Sequence, residues 1–396
     1  MFQSYPPGEL NCFAIVPEGY KAGPGPGVDS SLVKIKTRPG ISQKRMLPGK
    51  WGALTAAAAN EILFFPNLKK CVSAAVQCGR EHQATKVLMI LDSAVNIGIG
   101  SAIAESLHIP LLSLVWDTPE YFLLKAKVDR ITRTKLLKRF YKTLRKSERV
   151  AVVSRAMGLR YQQKCGVETI ILRQGFPSSA LHDAMTSHTS PSEFTIGFAG
   201  SLHAVTALRA LIMALDQVGW VIEGRKLILR LLGYDFRLQS NSSAHMEYLG
   251  WRSPEETARI LSLCDINYLP VPFETWLKDM ALYSFPTKLS TYLSTGRPVF
   301  IHAPASSSLS EFFHENPIGC LSESLDPGQI LGALRTLVAD PGQYARAAEC
   351  VAATARREFN RDEFARQLFK LVGFSPSQVV APGVDEEARA GEIRAL

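Results

Sequence analysis

The chain has 396 residues, of which 46% are apolar, and 45 Lys and Arg stand against 36 Asp and Glu. That is enough apolar chain for two α/β domains with full cores. The seven cysteines (Cys12, Cys71, Cys78, Cys165, Cys264, Cys320, Cys350) are scattered, odd in number and without a Cys-x-x-Cys pair. They exclude a disulfide framework and a zinc knuckle and suit a reducing cytoplasm. No apolar run of about 18 residues and no basic start followed by an apolar core is present, so neither a membrane span nor a secretory signal is expected.

In chain order, Cys12–Val16, Val87–Leu91, Leu111–Val115 and Arg149–Val153 are short apolar runs separated by helical stretches, the pattern of a parallel sheet. Between the first two, Gly23-Pro-Gly-Pro-Gly27 onward to Pro48-Gly49 is too rich in breakers for regular structure and reads as a long loop near a cleft. Trp51–Lys70 reads as helix around an alanine run. Gly98-Ile-Gly100 lacks the third glycine of a dinucleotide fingerprint and does not directly follow its strand, which argues against a bound NAD.

Residues 125–149 hold eleven Lys and Arg against Asp129 and Glu148, a local +9 that equals the net charge of the whole chain. The segment reads as one amphipathic helix, with Leu124, Val128, Ile131, Lys135, Leu137, Tyr141 and Leu144 on one side. Three readings stay open: a solvated face over a sheet, a contact with anionic lipid headgroups, and nucleic acid. Nucleic acid is the least favoured, because no stacking platform or known motif accompanies the charge.

Residues 1–175 are expected to form an N-terminal Rossmann-like domain and 176–194, with Pro177, Pro191 and many Ser and Thr, a linker. A second α/β domain is expected over 195–355, starting at Thr195, with strands at Lys226–Gly233, Met246–Trp251 and Asp265–Pro270 and a helix over Pro254–Cys264. Helices follow at Pro327–Val338 and Pro341–Phe359. Residues 356–373 are expected to include a helix, Arg361–Val372, that crosses back to the first domain, and 374–396 read as a flexible tail.

The most informative stretch is Phe285-Pro-Thr-Lys-Leu-Ser-Thr-Tyr-Leu-Ser-Thr-Gly-Arg-Pro-Val-Phe300. Pro286 starts a helix, Leu289 and Leu293 give it an apolar face, Gly296 ends it, and a buried strand follows. The first-turn amides of Thr287, Lys288 and Leu289 lack intrahelical partners at the positive end of the helix, where a diphosphate can sit, and Lys288 adds a full charge.

The succession Thr195-Ile-Gly-Phe-Ala-Gly-Ser-Leu202, Tyr248-Leu-Gly-Trp251, Asp265–Pro270 and Pro286–Val299 resembles the donor-binding half of retaining GT-B glycosyltransferases, family 4 in particular, over about residues 150 to 370. The resemblance implies an α/β fold of two Rossmann-like domains facing a cleft. It implies a cytoplasmic or membrane-peripheral enzyme that moves a hexosyl unit from a nucleotide-sugar to a glycan, lipid-linked or small-molecule acceptor. No cofactor and no metal are implied, the nucleotide-sugar being a substrate. The family's Glu-x7-Glu pair is replaced by Tyr283 and Thr291, which keeps open a catalytically silent nucleotide- or partner-binding protein. The opening Met1-Phe-Gln-Ser-Tyr-Pro-Pro-Gly resembles the region after the family's first βα unit, so the first strand is expected to be missing.

On this resemblance Lys288 is the first choice to stabilise the leaving group, the alternative being a plain surface lysine. Gly200, Ser201 and His203 form the turn that meets phosphate or sugar, although a histidine near a helix start is more readily structural. Thr287, Leu289 and Thr291 contribute amides or a hydroxyl, Thr291 toward a ribose, and Trp251 flanks the base or belongs to the core. Asp117, at the end of an apolar strand in Trp116-Asp-Thr-Pro-Glu-Tyr121, is the acceptor-side candidate, with helix capping as its alternative.

Overall fold

Parallel strands buried on both faces need continuous apolar runs, and the computed structural model places them in two sheets. It describes residues 9–19, 33–42, 49–233 and 243–374. The opening Met1–Gly8, the Gly23–Gly27 run and the tail beyond Phe374 lie outside the described residues.

The first sheet contains β3 (Val87–Ile90), β4 (Leu111–Val115), β5 (Ser147–Val152) and β6 (Glu168–Ile171) in that spatial order, all parallel. The strand β1 (Cys12–Val16) does not join it. It pairs in parallel with β2 (Val33–Thr37) as a separate ribbon. Val33–Thr37 lies within the stretch read as loop: its short Val-Lys-Ile-Lys-Thr alternation is masked in sequence by the glycines and prolines around it. The second sheet contains β7 (Glu193–Ala199), β8 (Val221–Ile222), β9 (Arg225–Leu232), β10 (Met246–Gly250), β11 (Ile266–Pro270), β12 (Val299–His302) and β13 (Gly319–Ser322). Its spatial order is β10-β9-β7-β11-β12-β13, with only the short β8 antiparallel, against β9. All four β12 residues are buried.

Both chain crossings between the sheets pass one point. Phe176 N–H donates to Phe359 O at 2.9 Å, and Arg361 N–H donates to Phe176 O at 3.0 Å. A side chain at Gly175 would run into the Asn360 carbonyl. Beyond this crossing the helix Arg361–Val372, capped by Asn360, lays Phe364, Leu368, Leu371 and Val372 against Leu112, Leu114, Ala151, Ile170 and Leu172 of the first sheet.

The basic segment is two helices rather than one. Pro119–Lys125 ends at a turn in which Lys127 takes φ 52°, and Asp129 caps a new helix, Arg130–Lys146, by accepting from Thr132 N–H at 2.9 Å. The turn rotates the second helix, so its buried face is Thr132, Leu136, Phe140, Thr143 and Leu144. Ile131 and Lys135, placed by periodicity on the apolar side, are exposed. Gly98 and Gly100 lie inside the helix Ala94–Leu107, where a Cβ would press on Leu68 and on Thr143 and Met89. They serve close helix packing.

Candidate active site

The carboxyl ends of the second sheet carry three glycines in register. Gly200 after β7 donates to Leu232 O at 2.9 Å, and Gly233 after β9 donates to Gly250 O at 2.9 Å, at the end of β10. Their φ angles are +96°, +136° and +67°, respectively, which side chains disfavour. A Cβ at Gly233 would stand 2.7 Å from Gly200 O, and one at Gly200 would stand 2.9 Å from Lys288 Cε. The crest is bare backbone at the edge where parallel sheets bind ligands.

Lys288 reaches this crest from the helix Lys288–Ser294. Its Nζ donates to Ser201 O at 2.5 Å and lies 4.4 Å from the centre of the Phe198 ring. One turn on, the Tyr292 hydroxyl accepts from Ala199 N–H at 2.9 Å, which pins the helix to the end of β7 and so fixes Lys288 against Gly200. Loss of solvent pulls the Lys288 ammonium down from 10.5 to about 8. The helix begins at Lys288, two residues later than Pro286, because residues 286–290 close tighter turns. Leu289 N–H donates to Pro286 O at 3.1 Å and Ser290 N–H to Thr287 O at 3.2 Å. The Leu289 amide is therefore committed and its side chain is fully buried, which removes Leu289 from the diphosphate donors.

A cavity of roughly 340 Å³ opens between the two sheets. It brings together Asp117, Ser201, His203, Thr287 and Lys288, and adds Trp116, Tyr121, Lys125 and Ser308, which sequence reasoning missed. Asp117 arrives from the end of β4, across the cleft from Lys288. The imidazole of His203 is held below its usual range by loss of solvent and then by Lys125 and Lys288, with Asp117 opposing them. It is therefore neutral at neutral pH, able to accept or donate a single proton.

Two expected contacts lie elsewhere. Trp251 follows the edge strand β10, is 67% exposed, and lines neither the core nor the cavity. One strand, β9, lies between β10 and β7, which sets β10 about 10 Å from β7 across the sheet. Thr291 is partly buried outside the cavity lining.

Tyr283, in the first position of the replaced acidic pair, faces the other domain. The Arg160 guanidinium lies 4.3 Å from its ring centre, pairs with Glu120 at 2.7 Å, and stands 3.6 Å from Asp279. Ser154 Oγ donates to Tyr283 O at 2.5 Å, and Tyr141 OH donates to Glu120 at 2.9 Å. These contacts clamp the two domains beside the cleft. Glu274, after β11, accepts from Thr206 N–H at 3.3 Å and Thr206 Oγ1 at 2.7 Å, tying the loop after β11 to the first turn of the helix Val205–Gln217. No sequence signal marked Glu274 or Arg160. A Gly after an apolar strand would have marked Gly233.

No protein-family model matches the chain and no curated protein matches it. Solved structures do. Sucrose-phosphate synthase from Thermosynechococcus elongatus aligns with TM-score 0.62 at 14% identity, over 86% of this chain and 88% of that one. HepE from Anabaena, in complex with UDP, aligns with TM-score 0.57 at 16% identity, over 86% of each chain. The α,α-trehalose 6-phosphate synthase from Burkholderia multivorans aligns with TM-score 0.55 at 11% identity, over 78% of this chain and 76% of that one. The neighbours are GT-B glycosyltransferases, and the fold of this chain is GT-B: two Rossmann-like α/β domains facing a cleft.

Proposed function

We propose that the protein transfers a hexosyl unit from a nucleotide-sugar to a hydroxyl of a glycan, lipid-linked or small-molecule acceptor, with retention at the anomeric carbon. The observation that carries the reading is the Lys288 ammonium held against the Gly200–Ser201 turn, at a glycine crest facing Asp117 across the cleft. HepE of the same fold binds UDP and UDP-glucose, which supports the donor class.

In the reaction the bond from the anomeric carbon to the diphosphate oxygen breaks and the acceptor oxygen bonds to that carbon on the same face. The acceptor proton passes to the departing phosphate. Lys288 stabilises the charge that grows on the leaving oxygen, and the amides near Ser201 and Thr287 add fixed dipoles. Asp117 orients the acceptor hydroxyl, and neutral His203 hydrogen-bonds the donor sugar or phosphate.

A second reading, a GT-B protein that binds nucleotide without turnover, is favoured by Tyr283, which is engaged with Arg160 where the family carries an acid. Thermal melts with UDP, GDP and ADP test the shared donor site. A ligand at a hundredfold excess over its Kd stabilises by about 2.7 kcal/mol, and no shift with any of the three overturns both readings. Release of UDP or GDP from the matching nucleotide-sugars then separates them: sustained release supports transfer, and binding without release supports the silent reading.

A further inference from the structure

One helix of the first domain displays apolar side chains to solvent. It runs through Gly49–Ala59, a π-turn Asn60–Phe64 and Phe65–Glu81. Trp51 is 71% exposed, Leu54 49%, Ile62 71% and Leu63 61%. At about 100° per residue, Trp51, Leu54 and Ala58 share one stripe. The π-turn adds the exposed Ile62 and Leu63 beside it. The opposite side, with Ala56, Ala57, Asn60 and Phe64, is buried. The apolar stripe is thus additional to the face that packs the core.

The stripe runs beside the basic helix. On the buried side Asn60 Nδ2 donates to Asp129 Oδ2 at 3.1 Å and to Thr132 Oγ1 at 3.2 Å, and on the exposed side Lys135 pairs with Glu61, the neighbour of Ile62, at 2.5 Å. The Arg139 guanidinium lies 4.6 Å from the Phe65 ring centre. On the solvent side of Arg130–Lys146, Ile131, Lys135, Lys138, Lys142 and Arg145 follow one another at intervals of three and four residues, one continuous row. Among the described residues Arg130, Lys138 and Arg145 have no carboxylate partner, whereas Lys135, Lys142 and Lys146 pair with Glu61 and Glu105. The surface therefore combines exposed aromatic and aliphatic side chains with adjacent unneutralised cations.

We infer that the face made by Trp51, Leu54, Ile62 and Leu63 and the neighbouring cations Arg130, Lys138 and Arg145 docks the first domain on an anionic lipid bilayer, the apolar chains entering the headgroup boundary. The apolar stripe supplies burial, and the cations supply attraction to phosphate headgroups. Charge selects the occupant: a second copy of this chain would bring the same cations to the contact. The inference does not depend on the donor chemistry. The basic helix leads back through residues 126–129 to Lys125, which lines the cavity, so docking here presents the cleft close to the membrane.

The test is flotation of the full chain, without nucleotide, on vesicles of phosphatidylcholine with and without phosphatidylglycerol. Flotation is expected only with the anionic lipid, with release as the Debye length falls from about 10 Å at 0.1 M salt to about 3 Å at 1 M. Trp51→Ser with Ile62→Ser is expected to lower partitioning on the order of tenfold without lowering the melting temperature, since both side chains are exposed. Quenching of tryptophan emission by brominated phosphatidylglycerol is expected to drop in Trp51→Phe. Arg130→Glu with Lys138→Glu and Arg145→Glu is expected to abolish flotation. The inference is overturned if the wild-type chain stays in solution, or if the serine variant partitions as the wild type does. It is also overturned if the wild type is a dimer that the serine changes convert to a monomer without any vesicle binding.

Discussion

Raising the pH tests whether Lys288 holds a diphosphate. Burial lowers its pKa from 10.5 to about 8, and a bound dianion raises it again because the charged form gains a partner. The protonated fraction of the free protein then falls from about 90% at pH 7 to about 3% at pH 9.5, so binding of UDP, or of whichever nucleoside diphosphate stabilises the chain, weakens roughly thirtyfold, or about 2 kcal/mol. A lysine left at 10.5 would change affinity by little over the same range. The sign for the unliganded protein is opposite. Between about 8 and 10.5 the unfolded chain holds a proton that the folded chain has released, so the contribution of Lys288 to stability rises with pH while the stabilisation conferred by ligand shrinks. Calorimetric titration across this range gives the profile. Lys288→Arg keeps its charge and should flatten it. Lys288→Ala should flatten it at low affinity and depress kcat more than it raises KM. A flat wild-type profile, or full affinity in Lys288→Ala, refutes the placement of the diphosphate beside this ammonium.

Two other outcomes follow from the same site. Arg160→Ala removes the partner of Glu120 and the cation over Tyr283, and should lower stability by about 2 kcal/mol or more in urea unfolding; Arg160→Lys should recover only part, since lysine cannot both fork and stack, and an unshifted midpoint would remove the clamp. Turnover should survive EDTA, because the described residues contain no group of three or more His, Cys, Asp or Glu arranged to hold a metal ion; loss with chelator and recovery with manganese or magnesium would count against the proposed chemistry.

Local pattern and chain order determined the α/β fold, most strands of both sheets and the turn–helix–strand unit of Phe285–Phe300. Continuous apolar runs and the signals Pro286, Gly296 and Pro298 act over a few residues and are visible without partners. The place of Lys288 in the first turn of that helix was legible for the same reason. What the sequence could not supply was which groups meet. The Leu289 amide is spent because Pro286 O comes within 3.1 Å of it, and Trp251 is left in solvent because β10 is an edge strand. Gly233 matters because β9 ends beside Gly200, a neighbour 33 positions away in sequence. The basic segment shows the limit most clearly. Its periodicity suggested one long helix, but the left-handed turn at Lys127 and the Asp129 cap rotate the second half. Helical spacing gives faces only relative to one axis. Packing of Leu136, Phe140 and Leu144 against the first sheet decided which face was buried, and so which cations remain in water.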